Sequence, residues 1–306
     1  MISIREEQKL FREAREIARQ YIGKAGVTDV EFGLKHKEGQ LTDQIALRFK
    51  VDKKKTEKEL KRSEILPRKA GKFQTDVLAG STIQHRVRNE DPKSIVRPLL
   101  GGIQIQSGIY TNTPFNWGTL GCLYAVENRF LGFTNYHVLI GGVSPETVAA
   151  HYVGKLAVFQ NLNHANNRIG TAAGFFSQEL DFATFDLKVP FDGIQSINSI
   201  NGLLTSYGYP RIGMPVMKSG AATGVTYGII DGRSCINTSE LSIHLDPAYP
   251  NPDGIVANAG DSGACWIQYD SNGATKLIAL HYAGGENLKW AKAKAFSSIF
   301  ASIRAQ

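Results

Sequence analysis

The sequence predicts a mainly β protein in which a small α/β segment precedes a larger region of short strands. Two observations predict this architecture. Up to about residue 94, one helical periodicity is followed by alternating strand patterns. Beyond it, short runs of β-branched and aromatic residues are separated by Gly, Asn and Pro without intervening helices, which is typical of an all-β barrel or sandwich.

The first segment begins with a predicted amphipathic helix. Apolar residues recur on one face from Ile4 to Ile22, and the helix-ending residues Gly23 and Gly26 follow. The stretches VEFGLKH and QIALRFKV alternate as strands do, and TEKELKR predicts a short helix. We therefore expect a small α/β accessory domain over residues 1–94.

The polar stretch from Ser81 to Pro98 is typical of a connection between domains, and we place the boundary near residue 94. The second domain, residues 95–306, contains strand patterns such as GTLGCLYAV, RFLGFTNYHVL, GKLAVFQ, DFATFDLKV, VTYGII and LIALHYAGG. Its last stretch, KAKAFSSIFASIR, predicts a C-terminal helix because apolar residues share one helical face: Phe296, Ile299, Phe300 and Ile303.

The net charge of +7 is unevenly distributed along the chain. Residues 1–100 contain 23 Lys and Arg against 15 Asp and Glu, whereas the remainder contains 12 against 13. The mixed signs in VDKKKTEKELKR favour a solvated helix face over a nucleic-acid surface. Nucleic-acid binding by residues 1–94 nevertheless stays open as an alternative.

Neither export nor membrane insertion is indicated. No apolar run approaches the roughly 20 residues needed to cross a bilayer, and the first residues are charged throughout. The cysteines, Cys122, Cys235 and Cys265, are odd in number and widely spaced, which predicts neither a disulfide framework nor a metal site. We expect a cytoplasmic protein whose cysteines are buried as small apolar residues.

The strongest chemical signal is Gly260-Asp261-Ser262-Gly263. Glycines on both sides of a serine permit a tight turn, and such a turn can direct the N–H groups of Gly260 and Ser262 at a developing oxyanion. Ser262 would then be the nucleophile.

A serine nucleophile requires a base, and the base requires an orienting carboxylate. His137 is the candidate base because it follows an apolar strand at a polar TN pair in FTNYHVLIGG. The segment LDFATFDL contains two carboxylates, Asp181 and Asp186, of which we favour Asp181 because it precedes the alternating strand.

In this order, TNYHV, LDFAT and GDSGACW resemble the three signatures of chymotrypsin-like serine proteases. The resemblance spans roughly residues 95–306 and implies two six-stranded antiparallel β-barrels with the site between them and a C-terminal helix. It also implies a serine endopeptidase acting on protein or peptide substrates through His137, Asp181 and Ser262, without a metal or organic cofactor.

The same resemblance bears on specificity. Trypsin carries an acid six residues before the nucleophile, but here that position is Val256, which disfavours cleavage after Lys or Arg. LHYAGG is similar to the strand of glutamyl endopeptidases, with His281 at the place of their Glu-binding histidine, whereas Ala257 replaces their usual threonine. We expect these residues and Gly284 to bind substrate, with Glu, Gln or another uncharged residue before the cut.

Two further expectations concern regulation. Secreted relatives are activated by a new N-terminal Ile that inserts beside the aspartate before the nucleophile, here Asp261, but RPLLGGIQI has no basic residue immediately before an Ile or Val start. The N-terminal layout is similar to intracellular bacterial proteases, some of which act in anti-phage defence. This similarity implies a regulatory protein partner for residues 1–94, and a catalytically silent binding module is the alternative to an active enzyme.

Overall fold

A computed structural model describes residues 2–37, 40–51, 53–55, 59–61, 64–79, 82–83, 95–110, 116–126, 129–161, 165–188, 193–249, 251–268 and 275–306. All structural statements below concern these residues. They contain four α-helices, namely α1 (Ile4–Ala18), α2 (Tyr136–Leu139), α3 (Pro145–His151) and α4 (Phe296–Ile303). None of these helices is long and apolar enough to cross a membrane.

The strands account for most of the described chain. The N-terminal strands are β1 (Val27–Lys37), β2 (Gln40–Val51), β3 (Lys69–Ala70), β4 (Phe73–Ala79) and β5 (Thr82–Ile83). The central strands are β6 (Leu99–Gly101), β7 (Ile103–Ser107), β8 (Gly118–Leu120), β9 (Cys122–Val126), β10 (Arg129–Thr134), β11 (Ala157–Gln160), β12 (Arg168–Ser177), β13 (Phe182–Leu187) and β14 (Gly193–Ile197). The last strands are β15 (Leu204–Tyr207), β16 (Pro215–Gly220), β17 (Gly224–Ser234), β18 (Glu240–Leu245), β19 (Cys265–Gln268), β20 (Thr275–Gly285) and β21 (Trp290–Ala295).

Two barrels are formed by the strands after residue 95. The first has the order β8-β7-β11-β12-β13-β10-β9, and it curls because β8 and β9 are separated only by Gly121. The second has the order β16-β19-β20-β21-β18-β17 and closes because β16 also pairs with β17. The predicted mainly β double barrel is therefore confirmed, with seven strands instead of six in the first barrel.

The predicted terminal helices are present with shorter bounds. Helix α1 begins after Ser3, whose hydroxyl accepts a hydrogen bond from the Glu6 N–H, and it ends before the predicted Ile22. Helix α4 buries the four predicted apolar residues, but the KAKA stretch before it belongs to β21. Alternating alanines of that stretch pack into the barrel core, so tertiary packing outweighs its helical propensity. The short helix predicted over TEKELKR lies mostly outside the described residues.

The N-terminal strands extend the sheet of the second barrel. The predicted strands VEFGLKH and QIALRFKV are confirmed as parts of β1 and β2, and β1 pairs with β17 so that Glu31 lies opposite Ser234 and Gly33 opposite Gly232. Together these strands form one 12-stranded sheet. The proposed boundary near residue 94 lies outside the described residues, and the division into two domains stays a prediction.

A buried charge network fills the junction between β1, β2 and the second barrel. The Arg48 guanidinium contacts Glu31 at 2.5 Å and Asp231 at 2.8 Å, and the Lys292 ammonium contacts Glu31 at 2.8 Å. Burial alone would raise the pKa of Glu31, but Lys292, Lys50 and Arg48 hold it well below its usual range. The network stays charged at neutral pH and connects residues from both ends of the chain.

This arrangement predicts that Arg48→Met lowers the free energy of unfolding by about 3–5 kcal/mol, because it removes the guanidinium partner of the buried Asp231 and one of the cations beside Glu31. Urea unfolding at pH 7 measures the change. Arg19→Met is the matched control, since Arg19 pairs with Glu16 where both side chains are more than 60% exposed, and it should cost at most about 1 kcal/mol. Equal losses for the two variants would contradict the buried network as a stabilising element.

Candidate active site

His137 lies where the first barrel meets the cleft. Strand β10 ends at Thr134, and Asn135 has the extended backbone of a helix N-cap before the single turn of α2. The Asn135 side-chain amide donates to the Asp181 carbonyl at 2.8 Å, so it connects the end of β10 to the residue that precedes β13. The local fold thus presents His137 and Asp181 side by side from two neighbouring strands.

Asp181 holds His137 through two contacts. One carboxylate oxygen accepts the His137 backbone N–H at 3.0 Å, and the other lies 2.7 Å from the ring Nδ1. The Asp181 backbone is left-handed, with φ of 45°, a conformation that is uncommon for a residue other than glycine and clusters at functional sites. The opposite ring nitrogen, His137 Nε2, is buried and has no hydrogen-bond partner among the described residues.

Ser262 lies in the tight turn that the flanking glycines predict. Gly260 and Gly263 have φ of 98° and 96°, which favour glycine, and a Cβ on Gly263 would lie 2.3 Å from the Thr119 carbonyl oxygen. The Gly263 N–H donates to the His281 carbonyl at 2.9 Å. The role of the Gly260 and Ser262 N–H groups as oxyanion donors stays a prediction.

The first barrel holds the nucleophile turn in place. The Thr119 N–H donates to the Ser262 carbonyl at 2.8 Å, and the Thr119 hydroxyl donates to the Gly260 carbonyl at 2.7 Å. A Cβ on Gly118 would lie 2.8 Å from the Ser262 carbonyl oxygen and 2.6 Å from the side chain of Val138, the residue after His137. Strand β8 therefore brings the turn of the second barrel beside the histidine of the first.

Two of the three predicted residues, His137 and Asp181, line one cleft. His137, Asp181 and Tyr282 line a cavity of about 560 Å³ together with Tyr136, Trp117 and Lys294. The Ser262 hydroxyl donates to the Tyr282 carbonyl at 3.4 Å. Ser262 therefore contacts a residue that lines the cleft, and the assembly of the three side chains into one catalytic site stays a prediction.

A buried lysine that the sequence analysis did not identify stabilises this turn. The Lys218 ammonium lies 2.7 Å from the Asp261 carboxylate, and both side chains are fully buried. Asp261 also accepts the Thr223 hydroxyl at 2.7 Å and the backbone N–H of Ala222 at 3.1 Å. Burial alone would raise the pKa of Asp261, but the charges of Lys218 and His281 and the hydrogen bonds from Lys218 and Thr223 together outweigh it, so the pKa is lowered. The only sequence signal was a lysine within the strand pattern VMKSGAATG.

The predicted specificity residues lie in the second barrel. Val256 and Ala257 are fully buried in its apolar core, beside Ala291 and Ala293. His281 is fully buried, and its ring packs edge-on against Trp266 at 6.3 Å. Gly284 is buried on β20 and pairs with Ala291 on one side. Their roles in substrate binding stay predictions.

The alternative carboxylate, Asp186, and two further histidines, His36 and His244, lie elsewhere. Asp186 pairs with Arg129 at 2.5 Å, with both side chains about 40% exposed, as expected of a surface acid. His36 and His244 lie near Asp231 within the reach of a metal ion. However, the Arg48 guanidinium lies 2.8 Å from Asp231 and 3.3 Å from the His36 ring, where it supplies the positive charge. All three cysteines are buried and free, which confirms their predicted burial.

Comparisons with known proteins give matches only among solved structures. No protein-family model and no curated protein matches the chain. A glutamic-acid-specific serine protease, described as using a histidine triad in substrate binding, is 12% identical over 67% of this chain and 98% of its own, with a TM-score of 0.46. Thermobifida fusca protease A is 15% identical over 67% and 95%, with a TM-score of 0.45.

A third match, Cellulomonas bogoriensis chymotrypsin, is 16% identical over 67% of this chain and 95% of its own, with a TM-score of 0.42. These sequence identities and TM-scores are too low to assign a function, which has to be inferred from the side-chain geometry of the chain itself. The strand order gives one closed barrel and one curled barrel. His137 and Asp181 come from the first barrel and Ser262 from the second. The chain therefore has the chymotrypsin-like double-barrel fold.

Proposed function

We propose that the chain is a serine endopeptidase with Ser262 as nucleophile, His137 as base and Asp181 as the orienting carboxylate. One observation carries this proposal. Asp181 engages both the ring Nδ1 and the backbone of His137, which leaves the buried Nε2 uncommitted beside the turn that contains Ser262. An imidazole held in this tautomer is what a serine hydroxyl needs in order to lose its proton.

The chemistry follows from these positions. The Ser262 oxygen attacks the peptide carbonyl while its proton passes to His137 Nε2, and the Gly260 and Ser262 N–H groups stabilise the oxyanion. The tetrahedral intermediate expels the amine, which takes the proton from His137, and the acyl group stays on Ser262. Water then attacks the acyl-enzyme by the same route, releasing the acid and restoring the serine. Asp181 stabilises the imidazolium in both halves.

The proposed substrate has an uncharged or Glu or Gln side chain before the cut. Val256 and Ala257 support this choice because both are apolar and buried in the barrel core, where an ammonium group would lack a partner. His281 is the candidate donor to a polar substrate side chain. The His281 side chain is fully buried, so its orientation is fixed by the surrounding residues before a substrate binds.

We propose further that the enzyme is a regulated cytoplasmic protease, and anti-phage defence is the role that the sequence resemblance suggests. The structural support concerns only the connection between the two parts of the chain. Strand β1 pairs directly with β17, so a partner bound to the N-terminal strands would contact the sheet that carries the nucleophile turn. Nucleic-acid binding is less supported, because Arg48 and Lys292 are buried in ion pairs instead of forming a basic surface.

Covalent labelling tests the proposed function. We expect a fluorophosphonate probe to modify the wild-type protein at Ser262, mapped by mass spectrometry, and a diverse peptide pool to be cleaved by the same preparation. Ser262→Ala should lose both activities, whereas Ser144→Ala, at the exposed N-cap of α3, should retain both. A silent binding module would show neither labelling nor cleavage in the wild type. Exclusive cleavage after Arg would contradict the specificity proposal alone.

A further inference from the structure

Strand β20 has two edges, and near the nucleophile one of them is occupied by β21. Leu280 pairs with Lys294 of β21, and Gly284 pairs with Ala291 of the same strand. The other edge of β20 first pairs with β19, where Cys265 lies opposite Leu280. Next along this edge come the nucleophile turn and the Ser262 hydroxyl, which donates to the Tyr282 carbonyl.

The same edge is then occupied by the chain's own segment, β5. Ile83 lies opposite Gly284 and Thr82 opposite Gly285 in antiparallel register. Because Ala291 occupies the other side of Gly284, β5 must lie on the edge that faces the nucleophile. Gly284 is two residues beyond Tyr282, about 7 Å along a strand at roughly 3.3 Å per residue.

A polypeptide that presents a carbonyl to Ser262 has to use this edge. An extended chain adds to an open strand edge through backbone hydrogen bonds, which require no particular side chain. Antiparallel to β20, such a chain would run from Gly285 towards Tyr282 and the nucleophile. Thr82 and Ile83 run in this direction at Gly285 and Gly284, so a substrate and β5 cannot both pair there.

We propose that β5 is an intramolecular inhibitor that occupies the substrate edge of β20. This inference rests on the proposed endopeptidase function and adds its mode of regulation. Two residues form few backbone hydrogen bonds with β20. Because β5 is covalently connected to β4, however, its effective concentration at this edge is in the millimolar range. The inhibition is therefore measurable, and a partner or a substrate can displace β5. A partner that withdraws β5 from this edge would activate the enzyme without cleaving the chain.

Proline substitution separates backbone pairing from side-chain effects. The double variant Thr82→Pro/Ile83→Pro removes both N–H donors of β5, whereas Thr82→Ala/Ile83→Ala retains them and is the matched control. For an extended peptide substrate, the proline variant should have a KM about tenfold lower than the wild type and an unchanged kcat, so that kcat/KM rises about tenfold. Labelling by a small fluorophosphonate, which does not use the strand edge, should be equal in all three proteins.

Two outcomes overturn the inhibitor. The first is the same KM in the proline variant, the alanine variant and the wild type. The second outcome is an equal rate of amide hydrogen exchange at Gly284 and Gly285 in the proline and alanine variants, both measured in a Ser262→Ala background. Equal rates would mean that β5 does not protect this edge. If no variant labels or cleaves while exchange at the edge still differs, the proposed function has failed and β5 is a structural strand.

Discussion

Asp181→Asn is expected to lower kcat by about 10⁴-fold while the protein stays folded. The carboxylate lies 2.7 Å from His137 Nδ1, and it accepts the His137 backbone N–H at 3.0 Å. An asparagine can keep the second contact but presents an amide N–H to the ring, which favours the tautomer with its proton on Nε2. A protonated Nε2 cannot take the proton of Ser262. Steady-state cleavage of a library-selected peptide measures the loss.

The matched control for this change is Asp186→Asn. Asp186 lies five residues further along the chain, on β13, and contacts the exposed Arg129 instead of the histidine. Asp186→Asn should retain kcat within about twofold, because Asp186 does not contact His137. It should also change the stability little, since exposed ion pairs contribute at most about 1 kcal/mol to the free energy of unfolding. Thermal unfolding of both variants checks that the fold is intact. Comparable losses of kcat in the two variants would remove Asp181 from the proposed mechanism.

Lys218→Met is expected to have the second large effect, on both stability and activity. Removing the ammonium leaves the fully buried Asp261 carboxylate without its ion-pair partner, at a cost of about 3–5 kcal/mol. Asp261 is adjacent to Ser262, and its backbone fixes the turn through hydrogen bonds to Asn258 and Ala264. A displaced turn would also misplace the oxyanion donors, so kcat should fall by about 10²-fold or more.

Two further variants distinguish charge pairing from simple loss of a side chain. Adding Asp261→Asn to Lys218→Met removes the uncompensated charge, so part of the lost stability should return while kcat stays low. Lys218→Arg keeps the charge and should retain more kcat than Lys218→Met. Denaturant unfolding and the labelling rate at Ser262 report the two effects separately. A double variant no more stable than Lys218→Met would contradict the ion pair as the source of the effect.

This ion pair also explains a sequence observation about activation. In the secreted relatives a newly cleaved N-terminus supplies the positive charge beside the aspartate before the nucleophile, and the segment around Gly102 lacks the pattern for such a cleavage. In the intact chain Lys218 already lies on Asp261. The buried carboxylate beside Ser262 therefore has a cation partner without a cleaved N-terminus.

The local conformations around Ser262 and His137 could be predicted from the sequence because short motifs encode them. The glycines around Ser262 fix a turn, and the polar residues after β10 place His137 at a strand end, so neighbouring residues suffice to recognise these features. The double barrel follows from alternation and turn residues over many short segments. The C-terminal helix was likewise visible as an apolar face that includes Phe296 and Phe300.

The remaining features depend on contacts between distant residues. Nothing near Lys218 in the sequence identifies Asp261 as its partner, because 43 residues separate the two. The pairing of β1 with β17 and of β5 with β20 is formed by backbone groups, whose hydrogen bonds leave no side-chain signature. The helix predicted over the KAKA stretch is wrong because only its pairing with neighbouring strands shows that it belongs to a sheet.

The joining of the N-terminal strands to the second barrel also affects the order in which the fold can form. Glu31 of β1 and its partner Lys292 of β21 are 261 residues apart in the chain. Contacts of such sequence separation form slowly, and domains usually fold in the order of their synthesis. Glu31 can pair with Arg48 of the neighbouring strand β2 well before Lys292 of β21 joins the network. Because β21 lies between β20 and β18, the barrel that contains Ser262 cannot close until this late strand is present.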